Sequence, residues 1–202
     1  MASSTEKPAK TTGKVKKADL LNQAELLFQK KGYLGTSMRD LAKVMNVEAA
    51  SLYSHFPSKT EILWQIADRC ANEFFHTVKP IYLSKLNTKA KLKEMIIAHI
   101  KVITSNLNAS AVFMTEWKHL PPEKYQVYAL MRDYYEQMFR KVILDGVREN
   151  LFRNVDEKFS SLTILSALNW THQWYRPNGE MTPEQIGEHL AEILLNGLIR
   201  TV

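Results

Sequence analysis

Apolar residues in this chain recur at intervals of three and four, and capping signals fall in the gaps between those runs. That period matches the turn of an α-helix, so each run lays one apolar stripe along a helix face. Leu20, Leu21, Ala24, Leu27 and Phe28 make the first stripe, which stops at Lys31-Gly32, a basic last turn followed by a helix-ending residue. Thr36-Ser37 with Asp40, Ser58 with Glu61, and Thr182-Pro183 with Gln185 read as N-terminal boxes. In such a box a hydroxyl and the side chain three residues on each satisfy a free backbone N–H. Only 7 Gly and 7 Pro interrupt 202 residues, and no strand-like alternation runs for long. The expected fold is therefore all-α, with about nine helices. Four fall at 15–31, 38–45, 49–55 and from 58 past Phe75, with Pro80 kinking or ending the fourth. The other five fall at roughly 89–106, 109–119, 122–150, 156–175 and 183–200, with Asn108 as a cap of the second and Asn154 or Asp156 starting the fourth.

The first helices are arranged in a particular way. Two short ones, joined by a tight Asn46-Val47 connection, follow a longer stabilising one, and Leu41, Ala42, Val47 and Leu52 fill the small core between them. Small residues at Ala42, Ala49 and Ala50 let the helices approach closely, as a helix-turn-helix needs. Leu52 and Phe56 face that core. Tyr53 therefore faces away from it, and with Ser51, Ser54 and His55 it can reach phosphates and base edges in a major groove.

Charge placement agrees with this. The first 60 residues hold ten Lys/Arg against five acids, whereas the remainder holds 17 against 16. A polyanion, most simply nucleic acid, is the partner this distribution suggests; a basic solvated tail is the plainer reading. Residues 1–14 read as a flexible basic arm, 15–60 as the helix-turn-helix unit, and 61–202 as a helical bundle for ligand binding and dimerisation.

Several classes of function lack their residues. Cys70 is the single cysteine, so neither a disulfide framework nor a multi-cysteine zinc site is available. The six histidines are scattered without paired spacing, and no Gly-rich phosphate loop or nucleophile motif is found. No enzyme activity, cofactor or metal is expected. The N-terminus has no apolar core of a signal peptide, and the Met95–Ile103 run, broken by His99 and Lys101, is too short to span a bilayer. A cytoplasmic protein with no membrane partner is expected.

The run Leu21…Ala24…Leu27-Phe28…Gly32-Tyr33…Thr36-Ser37-Met38-Arg39-Asp40-Leu41-Ala42…Val47…Leu52-Tyr53-Ser54-His55-Phe56…Lys59…Leu63 resembles the DNA-binding domain of the tetracycline-repressor (TetR) family over residues 15–63. The resemblance implies that Thr36 or Ser37 offers a hydroxyl and a helix N-terminus to a phosphate, and that Lys59 binds phosphate. It places Tyr53 and His55 on the backbone or a base edge, and Ala49, Ala50 and Ser51 toward the groove. Arg39, Glu48 and Ser54 complete the implied contact set. Family members commonly carry a small hydroxyl residue and a glycine where this chain has Glu48 and Ala50. Glu48 suits a helix N-terminus but repels phosphate, or else accepts from cytosine N4, so the operator preference is expected to be this chain's own.

Beyond residue 61 the helices are rich in aromatics. Tyr125, Tyr128, Met131, Arg132, Tyr135, Met138, Phe139, Val142 and Ile143 line one long helix, mostly as core. Glu116 and Arg132 stand in apolar company, either as an internal pair or as ligand-orienting groups. The segment 167–179, with Asn169, Trp170, Trp174 and Arg176, together with Arg132-Asp133-Tyr134-Tyr135, resembles a branch of the family that senses acyl-CoA thioesters and controls fatty-acid or sterol-ring degradation. That implies a ligand set of Trp117, Tyr128, Met131, Arg132, Tyr135, Asn169, Trp170, Trp174 and Arg176. An apolar tunnel would take the acyl chain, with Arg and Trp for phosphates and adenine. Trp170, Trp174 and Arg176 fit a dimer interface equally well.

The family pairs its last helices across a two-fold axis, which puts Leu162, Leu165, Ile186, Leu190, Ile193, Leu194 and Leu198 at a homodimer interface. Two recognition helices about 34–36 Å apart then read a near-palindromic double-stranded operator. The function implied is a repressor released by a small hydrophobic or acyl-CoA effector. A ligand-independent regulator, an activator and a helical protein adaptor are the alternatives.

Overall fold

Gly32 ends the first helix with φ 77°, a backbone conformation that a side chain would strain, and its N–H caps the carbonyl of Phe28 at 2.8 Å. In the computed structural model, which describes residues 16–198, ten α-helices follow in order. They are α1 (Lys17–Lys31), α2 (Met38–Val44), α3 (Ala49–Tyr53), α4 (Lys59–Tyr82), α5 (Thr88–Ser105), α6 (Leu107–Thr115), α7 (Pro122–Arg148), α8 (Glu157–Asn169), α9 (Thr171–Trp174) and α10 (Pro183–Asn196). A 3-10 turn, Trp117–His119, follows α6. The expected arm at 1–14 lies outside the described residues.

All nine expected helical segments are present, and two are interrupted. The segment expected at 109–119 breaks at Glu116 between α6 and the 3-10 turn. The segment expected at 156–175 breaks at Trp170, for a local reason. The Gln173 N–H turns back to Trp170 O at 3.0 Å, and the orphaned Asn169 carbonyl is met by His172 Nδ1 at 2.6 Å.

The capping signals hold at both ends of the chain. Ser37–Asp40 and Thr182–Gln185 form complete boxes, and Ser58 accepts from Glu61 N–H at 3.1 Å. Asn106 rather than Asn108 caps α6, and Asp156 rather than Asn154 caps α8. Pro80 does not end its helix. It sits in the last turn of α4, where its ring disturbs a single carbonyl and the helix runs on to Tyr82.

Two hydrophobic cores share α4. Its first half supplies Ile62, Leu63 and Ile66 to a core with Leu20, Phe28, Leu41, Leu52 and Phe56. Its second half supplies Cys70, Phe74 and Val78 to a core with Ile96, Ile100, Phe139, Ile143 and Leu168. The division expected at residue 60 is therefore blurred. Ala109 and Val112 of α6, with Leu120 and Tyr128 near the start of α7, belong to the first core. α10 lies tight along α5 because Gly187 has no side chain; a Cβ there would stand 2.8 Å from the Ile97 Cα. No single described helix is long and apolar enough to cross a membrane.

Candidate DNA-reading and effector sites

Asn46 takes the left-handed conformation at φ 54°, which asparagine tolerates better than most residues, and so makes the tight turn between α2 and α3. The Val47 N–H closes that turn on Ala42 O at 3.0 Å. Leu52 and Phe56 are sealed in the core as expected, which turns Tyr53 outward with 52% of its surface exposed. Glu48, Ala50 and Ser54 share the exposed side of α3, while Ser51 and His55 are half-buried. Ala49 was expected toward the groove but packs partly against the core. Lys16, Lys17, Lys30, Lys31, Arg39 and Lys43 are exposed around this head.

The residues flanking α2 have internal duties. Thr36 is buried, and its hydroxyl donates to Gly32 O at 3.0 Å, so it is not available to a phosphate. Ser37 remains exposed, with its hydroxyl and N–H directed at Asp40, which holds that carboxyl below its ordinary range. Lys59 spends two N–H groups on Tyr33 O at 2.7 Å and Thr36 O at 2.6 Å, and lies over the Tyr33 ring. Its desolvation lowers the ammonium pKa, and one N–H is left for a phosphate.

A cavity of about 190 Å³ opens between α4, α5, α6, α7 and α8. Its walls are aromatic and aliphatic: Phe74 and Phe75 from α4, Phe113 from α6, Met131 from α7, and Leu162 and Leu165 from α8. His99 and Tyr135 line its buried end with the half-buried Asn169 beside them, and its rim holds Arg132, Asp133, Glu136 and Lys158. His99 is fully buried, with Nδ1 2.9 Å from the Tyr135 hydroxyl and Nε2 3.1 Å from Asn169 Oδ1. Burial pushes its pKa down to about 3, so the ring is neutral at physiological pH. Burial likewise pushes the Tyr135 phenol well up, and it stays protonated.

Of the expected ligand set, Met131, Arg132, Tyr135 and Asn169 come together here. The others do not. Tyr128 is buried in the first core with its hydroxyl donating to Phe113 O at 2.9 Å, and Trp117 stacks between Tyr125 and Tyr128. Trp170 is 63% exposed and Trp174 is also exposed, and neither lines the cavity. Arg176 is exposed and donates to the carbonyls of Gln173 and Tyr175. Glu116 pairs with His119 at 3.4 Å rather than with Arg132, whose guanidinium lies over the Trp117 and Tyr128 rings.

The expected dimer set also divides. Leu165, Ile186 and Leu198 are buried in the chain's own second core, and Leu190 and Leu194 pack against it. Leu162 is exposed at the cavity wall, and Ile193 is 70% exposed. Phe159 of α8, Trp170 at its C-terminal end and Trp174 of α9 are exposed as well.

His99, Phe74, Phe75 and Phe113 were not singled out as site residues from sequence. The signal for His99 was visible as a polar residue interrupting the Met95–Ile103 run. No such mark distinguished the phenylalanines from ordinary core.

The head and the cavity are joined by identifiable contacts. Phe113 lines the cavity and packs against both cores, 5.8 Å from the Phe74 ring and 5.2 Å from the Tyr128 ring. The buried Glu25 carboxylate of α1 accepts from Arg69 of α4 and, at 2.9 Å, from Asn106 at the start of α6. α1, α4 and α6 are thus tied at one point.

Two family models match the chain. The model for bacterial regulatory proteins of the tetR family matches residues 20–66, and the tetracyclin repressor-like C-terminal domain matches residues 85–198. The chain is 28% identical over 191 residues to the HTH-type transcriptional repressor KstR2 of Rhodococcus jostii (strain RHA1), covering 93% of this chain and 94% of that protein. The crystal structure of the TetR family transcriptional regulator PfmR from Thermus thermophilus aligns with a TM-score of 0.81 at 31% identity, over 90% of this chain and 99% of that one. AibR, crystallised in complex with isovaleryl coenzyme A and operator DNA, shares the fold with a TM-score of 0.79 at 22% identity, over 88% of this chain and 96% of its own.

Proposed function

The chain belongs to the TetR family of bacterial transcriptional regulators, and on that premise we propose that it is a repressor that leaves its operator when an acyl-CoA-type effector fills the cavity. The observation that carries this reading is Phe113, a cavity wall that also packs against the core of the reading head. A ligand that displaces this ring moves α6. Through Asn106 and Glu25 that shift is passed to α1, on which α2 and α3 are built. The acyl group enters among Phe74, Phe75 and Leu165, while Arg132 and Lys158 at the rim meet the phosphates of the nucleotide. The ligand crystallised with AibR, isovaleryl coenzyme A, supports this class.

In the head, residues 15–60, Ser37, Arg39, Tyr53, Ser54 and the remaining N–H of Lys59 contact the operator, with Glu48, Ala50, Ser51 and His55 at the groove. The domain from residue 61 onward forms the homodimer. Phe159, Leu162, Trp170, Trp174 and Ile193 supply its apolar face in place of the inward-facing leucines and isoleucines. Two heads then read a near-palindrome, and the regulator works where chromosomal DNA is, in the cytoplasm.

The test is fluorescence anisotropy on DNA from upstream of the chain's own gene, with a salt titration and then isovaleryl-CoA and longer acyl-CoAs. Affinity should fall steeply with salt, and an acyl-CoA should weaken it saturably. No binding at low salt contradicts the repressor, and binding indifferent to every acyl-CoA contradicts the effector class.

A further inference from the structure

A cavity that served only hydrocarbon would have no use for polar groups in its depth. Here His99, Tyr135 and Asn169 meet inside aromatic walls, and their hydrogen bonds run in one direction. Asn169 Oδ1 can only accept, so His99 Nε2 carries the ring proton. His99 Nδ1 then accepts from the Tyr135 hydroxyl, a buried donor with no other acceptor in reach among the described residues. The chain ends on Asn169, whose amide N–H groups meet no acceptor among the described residues.

We infer that Asn169 selects effectors that bring a carbonyl oxygen into the cavity, with His99 and Tyr135 as positioning residues that hold its N–H groups toward the ligand. A ketone or thioester oxygen satisfies those donors. A hydrocarbon group of the same shape strips water from them and returns nothing, which typically weakens binding by roughly tenfold. The inference rests on the cavity being the effector site, and it specifies the chemistry that the acyl-CoA reading leaves open.

The experiment is kept apart from DNA release. Full-length protein is titrated with cyclohexanone and with methylenecyclohexane, in which a CH₂ replaces the carbonyl oxygen on the same ring, and binding is followed by NMR. Comparing the two affinities in wild type and in Asn169→Leu cancels their different solubilities. The ketone-to-hydrocarbon preference should fall roughly tenfold in the variant, with hydrocarbon binding kept. In wild type the imidazole ¹⁵N shifts of His99 should place the proton on Nε2. Tyr135→Phe should mix the two tautomers and lower the ketone preference without abolishing hydrocarbon binding. An unchanged preference in Asn169→Leu, a proton on His99 Nδ1 in wild type, or failure of both probes to enter would overturn the inference. An operator complex indifferent to acyl-CoA, beside an intact ketone preference, would defeat the effector reading alone.

Discussion

In the reading head, Leu20, Phe28, Leu41, Leu52 and Phe56 close on one another with no exposed surface, and even Thr36 and Lys59 are committed to backbone carbonyls. In the bundle behind it, Phe74, Phe75, Phe113 and Tyr135 stand around about 190 Å³ of open space with a neutral histidine in their midst. Protein interiors normally pack to near-crystalline density, and every gap forfeits dispersion contacts. The same chain fills one core and leaves the other open. The head keeps one shape for the groove, and the bundle keeps room for a shape it does not itself supply.

The largest expected effect separates the two cores directly. Phe56→Ala should destabilise the protein by about 3–5 kcal/mol in urea denaturation and abolish operator binding. Phe75→Ala should cost less, because one face of its ring already meets the cavity. Equal costs would break the comparison.

Acid should find the bundle first. His99 is held near 3 in the fold against 6.5 ordinarily, so as pH falls the unfolded chain takes up the proton before the folded one does. Stability present above about pH 6.5 is then lost progressively toward about pH 3, by up to a few kcal/mol. His99→Gln should flatten that stretch of the stability–pH curve measured by denaturation at each pH. An unchanged slope would show that the histidine titrates normally.

One substitution made in each core sharpens the contrast. Ala42→Leu in the closed head should cost about 1–3 kcal/mol through overpacking. Ala71→Leu at the cavity wall should shift stability by less than about 1 kcal/mol, because the new methyl groups find space. Smaller still, Thr171→Val should be neutral or stabilising by up to about 1 kcal/mol in the same assay. The Thr171 hydroxyl is buried with no hydrogen-bond partner among the described residues.

The head was legible because its signals are local. Caps at Ser37 and Ser58, the Asn46 turn and the three-four spacing each act within one turn of helix, and the fold keeps them. The bundle was less so, since an apolar stripe says that a face is buried but not against what. Ile186 and Leu198 read as a surface for a second copy, yet both are buried in the chain's own second core, and Gly187 admits α10 against α5. Trp170 and Trp174 read equally as cavity or interface residues, and only the fold shows that both are exposed and that neither lines the cavity. Thr36 looked free because nothing in its neighbours announces that Gly32 O lies within reach.

The most direct test of the account is operator affinity, measured by anisotropy with and without saturating acyl-CoA, in wild type and in Ala71→Leu. The account predicts that both bind DNA alike without ligand, that wild type weakens tenfold or more with it (about 1.4 kcal/mol), and that the variant, its cavity narrowed, responds less. Equal responses from the two proteins would contradict it.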